Sequence, residues 1–449
     1  MLHRLALALG LTLTPIMAQA AGDVVEFFLD NGMQVVVITD DRAPAVTHMV
    51  WYRVGAADEP PGQSGIAHFV EHLMFKATDD MASGEFSTVV EANGGSDNAF
   101  TSWDYTGYFQ RIAADRLGLM MQMEADRMRD IIFDPVEVAT ERSVILEERA
   151  QRTDSSAGAL FNEQMRAALF LNHPYGVPII GWRHEMEALS RDDAQAFHDV
   201  WYHPNNAILI VAGDVTAEEV RALAEEHYGP IPASPSLPAR ARPTEPPHIA
   251  NRRVSFTDER VANPYVSIQM LAPVREPGDQ AEAAALVILA ELLGGGGQTS
   301  LLARRLQVEE ERSLFAAAYY DSTSFDPSGF SLVNVPVPGL SLEEAEADLW
   351  RIIDDFLSEG IDTAHFARIK FQIAASEIYE EDSTQGLARR WGMELTTGLG
   401  LADIESWPEI LAAVTPEDVM DAARRLLTDP VHVTGHLMRP AAATAEISQ

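Results

Sequence analysis

The 449-residue chain contains no cysteine. That absence excludes disulfide staples, thiolate metal ligands, a cysteine nucleophile and a lipid-modified N-terminal cysteine, so any metal must be held by His, Asp or Glu. Basic residues are scarce: 32 Lys and Arg stand against 68 Asp and Glu, a formal charge of −36. Nucleic acid and anionic membrane surfaces are poor partners for such a field. The acidic excess reads first as solubility or a salty habitat, with a chamber that attracts cationic peptides as the alternative. Lysine occurs only as Lys76 and Lys370. Long apolar runs are also missing, apart from LALALGLTLTPIM at residues 5–17. It follows His3 and Arg4 and precedes Ala18-Gln19-Ala20, which has the A-x-A form of a signal-peptidase site. Residues 1–20 therefore read as a secretory signal cleaved after Ala20, and the expected location is periplasmic or secreted. That run is too short for a comfortable membrane span, so no integral membrane segment is expected once it is removed.

What is present is enough for more than one core. With 47% hydrophobic and 22% charged residues the chain should fold, and its length calls for two domains or more. VEFFLDNGMQVVVITD (25–40) reads as a hairpin turning at Asn31-Gly32. THMVWYRVGAADE reads as a strand leading to a loop. Helical patterns follow at about 64–77, 84–93, 114–131 and 135–153, with the strand-like 96–112 among them, then a buried strand at 206–215 and a helix after it. PIPASPSLPARARPTEPPHIANRR (230–253) holds seven prolines and cannot continue a helix or a central strand. The expected organisation is a first domain at 21–230, a Pro-rich linker at 231–252 and a second domain at 253–449. The second half is read as beginning with the strand VSIQMLAPV, followed by a helix, the Gly294–Gly297 run and helices near 341–358, 362–381 and 415–427. The fold class is α+β, with a duplicated domain suggested by strands followed by amphipathic helices in both halves.

The chemistry is concentrated in GIAHFVEHLMFKA, with Ser64 as its expected N-cap. At about 100° per residue, Ile66, Phe69, Val70, Leu73 and Ala77 share one face, while His68, Glu71, His72 and Phe75 share the other. Histidines four apart can both point an imidazole nitrogen at one ion. Two His and a distant carboxylate leave a fourth tetrahedral position for water, and Glu71 is placed to take a proton from it. The carboxylate is sought in DPVEVATERSVILEERAQRTD, where Asp134-Pro135 with Glu137 reads as a capping-box start. Glu137, Glu141, Glu147 and Glu148 lie on this helix. Glu141 and Glu148 share a face and Glu147 points about 100° away from Glu148, but spacing alone does not choose among them.

The pattern H-x-x-E-H is the inverted zinc motif. HFVEHLMFKAT, followed 76 residues after its second His by a Glu within ERSVILEER, resembles the pitrilysin/insulinase family, which includes the mitochondrial processing peptidase. GGSDNAFTSWDYTGY (94–108), HPYGVPIIG (173–181), WYHPNNAILIVAGDV (201–215) and LLGGGGQTSLLARRL (292–306) extend the likeness in order along nearly the whole chain after the signal. The resemblance implies a zinc endopeptidase with two homologous domains, the second inactive, and one Zn²⁺ per chain. It implies that His68, His72 and Glu148 are the zinc ligands, that Glu71 is the general base toward the zinc-bound water, and that Glu141 orients a ligating histidine. It also makes Asn98, Ala99, Phe100 and Thr101 part of an edge strand against which a peptide substrate lies, tolerant of sequence because the pairing is main-chain.

One departure bears on partners. Family members with a complete site carry in their second unit an Arg followed seven residues later by a Tyr, which bind substrate and stabilise the tetrahedral intermediate. In LARRLQVEEERSLFAAAYY (302–320) the aligned positions are Gln307 or Val308 and then Leu314 or Phe315. The chain also resembles half of the larger single-chain members. A homologous partner subunit supplying the Arg/Tyr pair in a heterodimer is therefore expected, with a homodimer as the alternative. The leading function is hydrolysis of short or unfolded peptides in a closed chamber. A non-catalytic structural or assembly subunit of the same fold is the rival, and a metalloenzyme acting on something else is a third reading. His184 beside Glu185, and His173 before Pro174 and Tyr175, lack paired ligand spacing and read as structural.

Overall fold

A computed structural model describes residues 24–295, 297–380 and 382–440; the expected signal, residues 1–20, and Gly296 of the glycine run lie outside the described residues. The first half runs β1 (Val24–Phe28), β2 (Gln34–Thr39), β3 (Ala45–Tyr52), α1 (Ile66–Leu73), α2 (Glu85–Ala92), β4 (Ser96–Thr101), β5 (Thr106–Ala113), α3 (Leu117–Asp130), α4 (Pro135–Arg149), α5 (Ala157–Leu169), α6 (Arg183–Met186), α7 (Arg191–Trp201), β6 (Ala207–Gly213) and α8 (Ala217–His227). The second runs β7 (Arg252–Thr257), β8 (Tyr265–Ala272), α9 (Ala281–Ala290), β9 (Ser313–Tyr320), β10 (Ser328–Pro336), α10 (Leu342–Glu359), α11 (Thr363–Glu380), α12 (Thr384–Thr396), α13 (Leu401–Ala413), α14 (Pro416–Leu427) and β11 (Val433–Met438).

Strand order is β1-β2-β6-β3-β5-β4 in one sheet and β7-β11-β8-β10-β9 in the other. With β1 set aside, the two sheets repeat each other in position and in chain order. In each, one pair is parallel, β2 with β6 and β7 with β11, and the remaining pairs are antiparallel. The fold is α+β, two domains of one topology, each a mostly antiparallel sheet packed with helices. The β1/β2 hairpin turns where Gly32 takes a φ of +86°, open to glycine at no steric cost. Residues 96–112 are not one strand but a hairpin, β4 and β5, closed by Ser102 N–H donating to Tyr105 O. VSIQMLAPV is not the first strand of the second half, because β7 precedes it. Among the described residues no helix is long and apolar enough to cross a membrane.

Both faces of the first sheet are buried. Val35, Val37, Val50, Leu209 and Val211 face a core built with α1, α3 and α7, while the alternate residues Val36, Ile38, Met49, Trp51, Ile208 and Ile210 face a second cluster. Near-continuous apolar strands such as AILIVAG are what two-sided burial demands. The second cover is α12 from the other half, which supplies Leu387, Ala388, Trp391 and Leu395. The exchange is reciprocal: α5 of the first half lays Phe161, Met165 and Leu169 against Val433 and Leu437 of the second sheet. Glycine permits both approaches. A Cβ on Gly392 would fall 2.0 Å from Trp51 Cε2, and one on Gly435 would fall 2.2 Å from Met165 Sδ.

The connecting residues 231–251 have no helix or strand, yet they are tied down. Buried Arg242 pairs with Asp58 at 2.9 Å, Asp104 at 2.5 Å and Asp326 at 3.1 Å, so one guanidinium joins both halves. Arg240 donates to Thr396 O and Asp104 O, each at 2.7 Å. The hairpin tip after β4 is thereby fixed to α12 and to the loop before β10.

Candidate metal centre

α1 starts in a way the sequence did not announce. Ser64 is not its N-cap; Gly65 is, at φ +88°, and has no side chain to offer. The carboxylate of Glu59 caps instead, accepting from Gly65 N–H and Ala67 N–H at 3.0 Å each. Ser64 is spent elsewhere: its Oγ accepts from Trp182 N–H at 2.8 Å, and its N–H donates to Glu185 at 2.8 Å. Glycine is required on both sides of this crossing, since a Cβ on Gly65 would lie 2.7 Å from Ile180 O and one on Gly181 would lie 2.4 Å from Ser64 O. The 180–182 segment also receives α4. Buried Arg149 donates to Gly181 O at 2.8 Å and pairs with Glu163 at 2.8 Å. At its other end α4 is capped by Asp134, which accepts from Val136 N–H and Glu137 N–H, with Pro135 at N1; Glu137 does not complete a reciprocal box.

These anchors set α4 across α1 so that Glu148 meets both imidazoles. Glu148 Oε2 lies 3.6 Å from His68 Nε2 and 3.4 Å from His72 Nε2. The three ligand atoms lie within 4.8 Å of one another, the one such cluster of three or more His or acidic groups found among the described residues. Glu141 accepts from His72 Nδ1 at 2.9 Å, leaving Nε2 to face Glu148. Each carboxylate has its outer oxygen held by a cation: Lys76 lies 2.5 Å from Glu141 Oε2, and Arg152 lies 2.7 Å from Glu148 Oε1. Glu147 is turned away and accepts from Gln151. Lys76 and Arg152 each stand one helical turn beyond a site residue, and that i, i+4 spacing from His72 and from Glu148 was the signal available in the sequence.

The donor set fits zinc. Ligands bound at ~2.0–2.2 Å in a tetrahedron are ~3.3–3.6 Å apart, matching the separations of 3.6 and 3.4 Å between Glu148 and the two imidazoles. Burial and the neighbouring His72 push His68 down to about 4, so it is neutral at neutral pH. Its buried Nδ1 has no hydrogen-bond partner, and Nε2 is too far from Glu148 for a hydrogen bond. A neutral imidazole facing a carboxylate across such a gap is poorly satisfied by protein alone. His72 behaves oppositely: burial pulls it down, but Glu141 and Glu148 outweigh that and hold it up to about 9. Glu148 is itself lowered by its hydrogen bond to His72. Without a metal, a proton on His72 balances the acids.

Glu71 is buried on the same helix face, and burial pushes it up to about 7 against the opposing hydrogen bond from Thr101. The Thr101 hydroxyl donates to Glu71 Oε2 at 2.5 Å. β4 therefore ends beside the cluster. As the edge strand of its sheet it pairs, among the described residues, only with β5. Along it Ala99 packs toward the core, Phe100 stacks edge-on against Trp51 at 4.7 Å, and Asn98 is exposed.

Other expected positions stand apart. His184 is exposed and 3.8 Å from Glu185; buried His173 faces Asp326 at 3.1 Å. Gln307 donates weakly to Ala316 O, while Val308, Leu314 and Phe315 are exposed. An Arg and a Tyr seven apart do occur, Arg312 and Tyr319, but Arg312 immediately precedes β9 and Tyr319 lies near its end, so the extended chain holds them ~23 Å apart. Arg312 is also engaged with Asp348 at 2.7 Å. They do not converge on one ligand.

Comparison with known proteins identifies the family and the fold. Residues 34–182 match the family described as Insulinase (Peptidase family M16), and residues 188–373 match the Peptidase M16 inactive domain. A protein named zinc protease PqqE from Helicobacter pylori is 30% identical over 365 residues, covering 80% of each chain. An uncharacterized zinc protease of Mycobacterium leprae is 32% identical over 421 residues, covering 91% of this chain and 90% of its own. Among solved structures, a protease from Helicobacter pylori superposes with a TM-score of 0.87 at 26% identity, covering 94% of this chain and all of that one. The periplasmic protease PqqL from Escherichia coli shares the fold, with a TM-score of 0.78 at 20% identity, but this chain covers 47% of it. With the duplicated fold, the inverted motif and relatives named as zinc proteases along most of its length, the chain belongs to the pitrilysin/insulinase family, peptidase family M16.

Proposed function

We propose that the chain is a zinc-dependent endopeptidase acting on short or unfolded peptides. The observation that carries this reading is the convergence of His68 Nε2, His72 Nε2 and Glu148 Oε2 beside a buried Glu71. The two histidines and Glu148 would hold one zinc ion per chain. Bound there, zinc supplies Lewis acidity that polarises a scissile carbonyl and acidifies the attacking water. The remaining work falls to protein groups. Glu71, with Oε2 occupied by Thr101, takes the water's proton at Oε1 and passes it to the leaving amine. A carboxyl group whose affinity for protons lies near neutrality suits both halves of that transfer. Glu141 fixes the His72 ring through Nδ1. The free edge of β4, through Asn98, Ala99, Phe100 and Thr101, pairs with the substrate main chain and aligns the peptide with Glu71.

A scaffold subunit needs none of this donor set, and the intact cluster argues against that role. Gln307, Val308, Leu314 and Phe315 offer no Arg/Tyr pair, which supports a second subunit of the same fold that supplies one and closes a chamber, as a heterodimer or a homodimer. The segment 1–20 supports export to the periplasm or beyond. The test is peptide cleavage by the mature protein, alone and with a homologous subunit encoded nearby, alongside zinc analysis of wild type and Glu71→Gln. Stoichiometric zinc in both, with cleavage lost only in the variant, is expected. Undiminished cleavage by Glu71→Gln, or wild type without zinc, overturns the assignment; full activity of the lone chain overturns only the partner.

A further inference from the structure

Beyond Thr101 the β4/β5 turn opens into a cavity of about 650 Å³ between the two halves. That lies within the ~300–1,000 Å³ range of ligand sites. Its floor is the face of the second sheet that α5 leaves bare, including Ser267, Gln269 and Ser331, and its walls include Trp103 and Tyr265. This floor is polar and uncharged. The charged groups in the lining are Arg166 on α5, Asp104 and Asp321, and the Arg166 guanidinium lies 3.8 Å over the Trp103 ring. Its one protein hydrogen bond is long, 3.4 Å to Tyr175 O, and no carboxylate comes within ion-pair distance of it among the described residues. Burial draws its affinity for protons down to about 10, only partly opposed by Asp321. In a chain with 68 acidic and 32 basic residues, a part-buried cation whose only acid influence, Asp321, stays beyond ion-pair distance among the described residues is unexpected. The other acid nearest the turn, Asp104, is already committed to Arg242 and to the Tyr175 hydroxyl. Asp321 is raised by burial and is therefore the more readily protonated.

We propose that Arg166 is a specificity-determining residue that binds a carboxylate of the substrate peptide in this cavity. The inference rests on the peptidase reading and deepens it. A peptide extended along the outer edge of β4 advances ~3.4 Å per residue, so the few residues past Thr101 enter the space beneath Trp103. Carboxylate is the one anionic group an unmodified peptide brings, and a planar guanidinium stacked on an indole is preorganised to receive it in a fork. The source is either the C-terminal carboxylate or an Asp or Glu side chain.

Calorimetric binding to the Glu71→Gln protein, which holds peptides uncleaved, tests this. One ten-residue sequence is compared as the free acid, as the C-terminal amide, and as amides carrying Asp at successive positions. Binding about tenfold or more tighter for the free acid, or for one Asp register, is expected and identifies the source. Adding Arg166→Met should reduce that ratio to near one, and Arg166→Lys should restore part of it, with thermal unfolding checking the fold of each. Peptides bound equally well whatever their carboxylates, or a preference that persists with Met, overturn the role of Arg166 alone. Failure of every peptide to bind, both to the chain alone and with the homologous subunit added, overturns the peptidase reading and this inference with it. If Arg166→Met does not fold, the wild-type comparison of acid with amide and the Lys variant still decide.

Discussion

Replacing Glu141 by Gln should weaken zinc binding through a conflict of hydrogen-bond donors. Glu141 accepts at both ends, from His72 Nδ1 at 2.9 Å and from Lys76 Nζ at 2.5 Å. A glutamine has one acceptor end. If its oxygen faces His72, its NH₂ faces the Lys76 ammonium, donor against donor. If it flips, NH₂ faces Nδ1 and drives the ring proton to Nε2, where the metal should bind. Loss of such a supporting carboxylate typically costs ~10–100-fold in metal affinity, or ~1.4–2.7 kcal/mol. Lys76→Met alone strips one partner from a carboxylate that keeps the other, so a smaller loss is expected. In the double variant the amide can give its oxygen to His72 without opposing a lysine, so the double loss should fall short of the summed single losses by ~0.5–3 kcal/mol. Competition for zinc against a chromophoric chelator at one fixed pH, with circular dichroism to confirm folding, measures all four proteins. A Glu141→Gln affinity within twofold of wild type, or strictly additive losses, would refute this reasoning.

Zinc affinity should rise about tenfold between pH 6.5 and 7.5, because in the metal-free protein His72 is held up to about 9 and zinc must displace its proton below that pH; a flat chelator titration would contradict this. Arg242→Met leaves Asp58, Asp104 and Asp326 without their shared cation and should lower unfolding stability by ~3–5 kcal/mol in urea; a loss below ~1 kcal/mol would show the network to be dispensable. Gly392→Ala gains ~1 kcal/mol of helix propensity but drives a methyl to 2.0 Å from Trp51. Overpacking of ~1–3 kcal/mol should win, and a raised melting temperature would contradict the close helix approach.

Local periodicity made half of the site legible. His68, Glu71 and His72 share a face because 3.6 residues make a turn, and nothing outside the helix is needed to see it. Glu148 was not separable from Glu147 or Glu141 by spacing, because the choice depends on how α4 crosses α1. That crossing is set by Arg149, Gly181 and Ser64, residues 117 positions apart in sequence between first and last. The cap was misread for the same reason: Glu59 reaches over Ser64 from a preceding loop, and no capping rule looks that far upstream. Strands were legible where two-sided burial made them apolar, as in β6, and blurred where a polar turn joined them, as in β4 and β5. The exchange of α5 and α12 between halves left no local mark, since an amphipathic helix does not say which sheet it will cover.

The most direct measurement is anomalous diffraction at the zinc edge from crystals of the mature protein. The account predicts one peak per chain, ~2.0–2.2 Å from His68 Nε2, His72 Nε2 and a Glu148 oxygen. Crystals grown with zinc that show no peak among these three residues, or a peak coordinated elsewhere, would contradict it.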